Sequence, residues 1–444
     1  MKLAEPVQNE NGKIPAGWYW SSIDEIKGLG RSVISGPFGS NIGSRFFVPT
    51  GVPVIRGNNI TNTMARFVDN GFVFVTEEKA KELNCDAVQD DLLFTAAGTI
   101  GQVGIIPRGS KYNRYVISNK QLRVRLNLEK VLPLFAFYWF SSPRMGAYIK
   151  ARNTGSTIPL INLSVLRSLP IPMPPITQQA AIVNTLSSLD DKISLNDKMN
   201  ENLEAISQSL FKRWFIDFEF PNGQGCTYKS SGGKLVDSEL GKIPVNWHIS
   251  TMPEIADIID CLHTKKPERV ESTEYFLLQL NNIGDRATVD LADKYGVSKE
   301  DYLEWAKNIE VTEGDCIITN AGLVGAIARI PAGIKSGIGR NFTAIRARNI
   351  SPMYLFSYLT SEYGKTEIAG NEDQGTIFNS LNVKGIKKIK VLVPDEQVVN
   401  DYEVVAAKLR NILEANVLQN HSLAELRDSL LPRLMSGEIK ISGC

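Results

Sequence analysis

The sequence is poor in the residues that build metal centres. Its five cysteines (Cys85, Cys226, Cys261, Cys316, Cys444) stand far apart with no Cys-x-x-Cys, and histidine occurs only at His248, His263 and His421. Neither a zinc site nor a disulfide framework is expected, and the odd cysteine count fits a reducing cytoplasm. Charge of one sign is lacking too, since 49 Lys+Arg against 48 Asp+Glu leave a formal net charge of +1. This excludes a uniformly basic nucleic-acid coat and leaves room for local basic patches. Long hydrophobic runs are absent. The most apolar stretch, 131–140, is too short to span a bilayer, and no charged-then-apolar leader opens the chain. The expectation is a cytoplasmic protein with no membrane contact.

Catalytic signatures are missing as well. There is no Gly-x-x-x-x-Gly-Lys-Ser/Thr phosphate loop. Methyl transfer to a base amine would call for Asn/Asp-Pro-Pro-Tyr/Phe, and the near match at 172–176 lacks both the polar and the aromatic residue. Gly98-Thr99-Ile100-Gly101 and Gly322-Leu323-Val324-Gly325 lack dinucleotide-loop spacing and read as tight turns between strands. The pairs Asp90-Asp91 and Asp190-Asp191 read as solvated charges. No catalytic residue, no metal ligand and no cofactor of its own is assigned to the chain.

What is present is a duplication of a whole domain plus an appendage. Gly12-Lys13-Ile14-Pro15 with Trp18 returns as Gly241-Lys242-Ile243-Pro244 with Trp247, and the run 91–101 returns as 315–325. Thr157-Ile158 finds Thr376-Ile377, and Pro174 finds Pro394. The first part of each copy holds short Val/Ile/Phe runs broken by Gly, Pro and Asn, such as 52–55, 72–75 and 121–126, with helical segments at 131–150 and 352–369. This is mixed α/β (α+β) composition.

Each copy ends in a long helical pattern following a proline, with Thr177 and Asp395 as candidate N-caps. Apolar residues recur every seven: Ile182, Leu189, Asn196, Leu203, Leu210, and, at an offset of 220 (402 − 182), Tyr402, Leu409, Asn416, Leu423, Leu430. Companion positions are Leu186, Ile193, Met199 and Ile206, against Ala406, Leu413, Gln419 and Leu426. A sustained heptad points to a coiled-coil seam, and Asn196 and Asn416 at one seam position are register-fixing residues. Two such helices pair most simply antiparallel, giving a pseudo-twofold internal repeat. Along the chain the expected organisation is a domain over 1–175, a helix over 176–220, a second domain over 221–394 and a second helix over 395–444.

Polar loops repeat as well. Ser35, Gly36, Phe38, Ser40 and Asn41 form one, and Arg56, Asn58 and Asn59 a second, answered in the second copy by Gln279, Asn281 and Asn282. Ser156 and Thr157 have Gln374 and Thr376 as counterparts, and Lys265 and Lys266 lie beside 258–263, the run that falls where the first copy has its Gly-Pro-Phe-Gly loop. Such side chains suit phosphates and base edges, with Arg matching guanine and Asn or Gln matching adenine; each also suits a simple turn.

The run Ser35-Gly36-Pro37-Phe38-Gly39-Ser40, then 53–60, then Gly155-Ser156-Thr157-Ile158-Pro159, resembles a target recognition domain. The helix ends at 208–215 and 429–438 resemble the repeated helices of the same family, the specificity (S, or HsdS) subunits of type I restriction-modification enzymes. The resemblance implies two target recognition domains separated by two long antiparallel coiled-coil helices, and a non-catalytic subunit that reads a bipartite, asymmetric site in double-stranded DNA. It implies docking of two methyltransferase (M) subunits and allows two restriction (R) subunits, with S-adenosylmethionine, ATP and Mg on those partners. Alternatives are the specificity part of a fused restriction-methylation enzyme and a coiled-coil protein scaffold.

Overall fold

The computed structural model describes residues 7–9, 12–61, 64, 66–223, 225–373 and 379–440. The chain divides into two compact units, Met1–Asp190 with Glu425–Cys444, and Asp191–Ala424. Each unit thus holds one domain, part of the helix that follows it, and part of the other long helix. The units therefore cut across the domain-then-helix order of the chain.

In the first unit, an antiparallel sheet has the order Val33–Ser35, Gln121–Val124, Leu92–Thr95, Val103–Ile105. A second sheet runs Val73–Val75, Val52–Ile55, Tyr115–Ile117, Asp86–Ala87, and its central pair is parallel, Val54 opposite Val116 and Ile55 opposite Ile117. Strands Tyr19–Ser22 and Pro170–Met173 pair antiparallel and bring the domain's two ends together. The apolar stretch 131–140 supplies the helix Pro133–Phe140, in which Phe135 to Phe140 are all buried. A helix apolar all round belongs inside a core. It packs with Ile182, Val183 and Leu186 of the first long helix and Leu431, Leu434 and Met435 of the second.

The second unit repeats this plan. Ala256–Asp260, Phe342–Ala347, Cys316–Thr319 and Ile327–Arg329 form the antiparallel sheet. Phe276–Leu278 lies parallel to Gly337–Ile338 and antiparallel to Tyr295–Gly296, and His248–Thr251 pairs with Lys390–Val393. Even a small device recurs: Glu25 accepts from the Ser22 amide and Glu254 from the Thr251 amide, closing a capping box on the first short helix of each domain.

Several expectations need correction. The helical segments at 131–150 and 352–369 are each two short helices, Pro133–Phe140 with Pro143–Lys150 and Pro352–Thr360 with Glu362–Gly370. Serine caps start the new segments, Ser142 followed by Pro143 in the first pair and Ser361 in the second. Thr177 is not a cap, because the long helix already starts at Ile176; it runs to Phe211 and continues as a π-helix over Lys212–Ile216. The second long helix spans Glu396–Met435, directly after Asp395. Asp91 is not solvated: it is 1% exposed and receives two bonds from Arg125 (2.8 and 2.7 Å) and one from the Val88 amide. Its counterpart Asp315 is buried in the same way by Arg346 and the Thr312 amide. Asp190 accepts from Tyr138 and from Arg427.

Within the second unit the long helices run antiparallel, Asn196 meeting Asn420 and Asn200 meeting Asn416. Met199, Ile206 and Leu426 are exposed, so they are not seam residues. A heptad seam alternates steps of four and three, which makes Asn200 and Asn420 the companions of Asn196 and Asn416.

Candidate nucleic-acid interface

Parallel pairing of Val52–Ile55 with Tyr115–Ile117 carries two distant chain segments to one end of the sheet. Beyond Ile55 lies the turn Gly57–Asn59, and beyond Ile117 lies the turn Ser118-Asn119-Lys120 that crosses to the other sheet at Gln121–Val124. The loop after Val33–Ser35 reaches the same place. Gly36 donates to the Gln121 carbonyl, and a Cβ on Gly36 would stand 1.8 Å from the Ser118 carbonyl oxygen, so only glycine fits. A fourth loop joins them where Gly98 donates to the Pro159 carbonyl. Arg56, Gly57, Thr95, Gly98, Thr99, Asn119, Lys120 and the apolar floor of Ile42 and Phe47 enclose an open cleft of about 480 Å³.

The candidate residues fall into distinct places around it. Ser35, Phe38, Ser40 and Asn41 are exposed, with Phe38 84% accessible at the loop tip. Ser156 and Thr157 are exposed on the loop that Asn153 ties down through Gly155 and Leu160. Arg56 lines the cleft, but one guanidinium nitrogen donates to the Gly71 carbonyl at 3.2 Å. Asn58 is exposed.

Asn59 has a different role. It is fully buried; its Oδ1 accepts from the Arg56 amide, and its Nδ2 donates to the carbonyls of Val68 and Asn70. Asn282 repeats this with the Gln279 amide and the carbonyls of Asp290 and Asp293. Both side chains hold the turn and offer nothing outward, which corrects the expectation of a direct contact.

In the second domain, Lys265 and Lys266 are exposed on the loop after Ala256–Asp260, and Lys266 sits 3.8 Å from the centre of the Tyr295 ring. Burial, with Arg269 and Arg340 nearby, holds the Lys266 ammonium below its usual pKa. Gln279 packs against Gly339, with its Nε2 buried and unpaired. Asn281 is exposed and donates to Asp293. Gln374 and Thr376 lie outside the described residues. The turn tip here is Gly339-Arg340-Asn341, by register the counterpart of Ser118-Asn119-Lys120. Composition and motif spacing gave no sign of either tip, because only the parallel pairing places it beside Arg56 or Gln279.

Among the described residues one group, Asp260, Cys261 and His263, brings three metal-ligand atoms within 4.8 Å of one another. Its His263 Nε2 and Asp260 Oδ2 already lie 3.0 Å apart as a hydrogen-bonded pair. No helix among the described residues is long and apolar enough to cross a membrane.

The geometry is that of a duplicated domain with polar loops gathered at one end of a sheet, each copy feeding a long helix. The family model for the type I restriction modification DNA specificity domain matches residues 43–205. Over that stretch the chain is similar to the HsdS family, the specificity subunits of type I restriction-modification enzymes. It is 24% identical to the MjaIX specificity subunit of Methanocaldococcus jannaschii over 98% of this chain and 96% of that one. To the HindI specificity subunit of Haemophilus influenzae it is 27% identical, covering 74% and 82%. Its fold is similar to the S subunit from M. genitalium, with a TM-score of 0.61 at 18% identity, covering 96% and 97% of the two chains.

Proposed function

We propose that each domain reads one half of a bipartite, asymmetric site in double-stranded DNA, and that the chain itself is not catalytic. The observation that carries this reading is the pair of equivalent sheet ends, alike in backbone and different in the side chains they present. Two readers of one design with different contact residues suit two unlike half-sites. The long helices, on this reading, dock two M subunits and fix the spacing between half-sites, with R subunits joining the same assembly. S-adenosylmethionine, ATP and Mg are then used on those partners, which also share the phosphate contacts that a chain of net charge +1 is short of.

The test is to co-express the chain with its M partner and sequence the methylated sites. The expected result is one split motif with a fixed spacer. Exchanging residues 1–175 for the domain of a relative should change one half and leave the other. Change in both halves would refute modular reading, and methyl transfer by the chain alone would refute the non-catalytic assignment. Inserting one heptad after Asn196 and one after Asn416 keeps both asparagine cross-pairs in register and lengthens the paired helices by roughly 10 Å. The preferred spacer should change or specific binding should be lost; an unchanged spacer would deny the helices their measuring role.

A further inference from the structure

We infer that Asn119 and Arg340, equivalent residues at the tips of the two turns that join the sheets of each domain, are specificity-determining positions of the two half-sites. The inference rests on the proposed reading of DNA by these domains and assigns the residues that discriminate bases.

Their equivalence follows from strand register. Ile55 lies opposite Ile117 and Leu278 opposite Ile338, so Asn119 and Arg340 each stand two residues beyond a matched pair. Both are exposed. Their neighbours one strand away are less accessible, since Arg56 is engaged with the Gly71 carbonyl and the Gln279 amide nitrogen is buried against Gly339. At each site the tip residue is therefore an outward polar group.

Each tip residue also touches the loop that follows the first strand of its antiparallel sheet. A Cβ on Gly39 would lie 3.1 Å from Asn119 Nδ2, and Arg340 donates through Nε and Nη2 to the Thr264 carbonyl. That contact uses one edge of the guanidinium and fixes its plane. The edge formed by Nη1 and Nη2 remains directed away from Thr264, and its two parallel donors match the O6 and N7 acceptors of guanine. Asn119 makes no hydrogen bond among the described residues, so its amide keeps the donor and acceptor that match N7 and N6 of adenine. The two chemistries differ at one structural position, as two readers of different bases require. Lys266 beside Arg340 adds positive charge for the backbone.

The experiment uses the full chain with its M partner and selects binding sites from a random duplex library. Wild type is compared with Asn119→Ala, Arg340→Ala and Arg340→Lys, each checked by thermal melting. Arg340→Ala should lose preference at one base pair of one half-site, by roughly 5- to 150-fold, and keep the other half-site intact. Arg340→Lys keeps the charge without the paired donors and should lose the same preference while holding overall affinity. Asn119→Ala should do likewise in the other half-site. Unchanged base preference, or a uniform loss over all sequences, would overturn the assignment and leave DNA reading standing. A wild-type assembly with no sequence preference would overturn both.

Discussion

The Asn196 amide donates to Asn420 Oδ1 at 2.8 Å, and the relation recurs in reverse where Asn416 donates to Asn200 Oδ1 at 2.9 Å. Because Asn416 corresponds to Asn196 and Asn420 to Asn200, the two bonds are one interaction made twice. Asn196 also donates to Gln419, and Asn420 to Asp197. The arrangement is costly, since Asn196 Oδ1 and Asn200 Nδ2 are buried without partners. It specifies register because a slip by one residue would strand the remaining amide groups against apolar seam neighbours.

Replacing Asn196 alone with Leu should therefore destabilise the chain by about 1–3 kcal/mol, as Asn420 loses its donor in a buried seam. Replacing all four asparagines with Leu should raise the melting temperature, since no buried amide is left unpaired. A quadruple variant that melts below the single one would show that the seam stabilises through these polar contacts.

Asp91→Asn and Asp315→Asn should each cost about 1.5–3 kcal/mol, the worth of hydrogen bonds to a charged group. Arg125 and Arg346 remain partly exposed, which keeps the figure below that of a fully buried pair. Chemical denaturation followed by domain-specific proteolysis should place each loss in its own domain.

Arg286 and Ala287 adopt left-handed backbone (φ 56° and 53°), and the buried Arg410 donates to both carbonyls at 2.8 and 2.6 Å while Glu414 pairs with it and with Arg329. Arg410→Met should thus cost about 3–5 kcal/mol, since it breaks a buried ion pair and releases a strained segment. Ala287→Gly should stabilise the chain by up to about 1 kcal/mol, because glycine adopts this conformation without strain. Calorimetry on the two variants gives both signs.

The Ser21 hydroxyl and the Ser22 amide donate to Glu25 and hold its carboxyl below the ordinary value of 4.5. A lowered folded-state pKa means the stabilisation is complete above that ordinary value and is lost as pH falls through the folded one. Glu25→Gln should remove this part of the acid-side decline, and urea midpoints measured from about pH 6 down to about pH 3 would show it as a flatter limb. At neutral pH the loss of the carboxylate acceptor should cost about 0.3–1.5 kcal/mol.

The amino-acid order determined on its own the duplication, the mixed composition of each copy, the two long helices with their matched asparagines, and the family resemblance. These are local or periodic properties, and spacing along a chain records them directly. Which polar residue faces outward was decided by tertiary structure alone. Asn58 and Asn59 are neighbours of one residue type, yet one is exposed and the other is sealed by Val68 and Asn70. Asp91 looked solvated until the antiparallel pairing of Gln121–Val124 with Leu92–Thr95 delivered Arg125 to it. Asn119 and Arg340 carried no motif, and the parallel strand pairing made them neighbours of Arg56 and Gln279. Burial and hydrogen-bond partners are supplied by segments 9 to 34 residues away in these cases, so no local pattern can encode them.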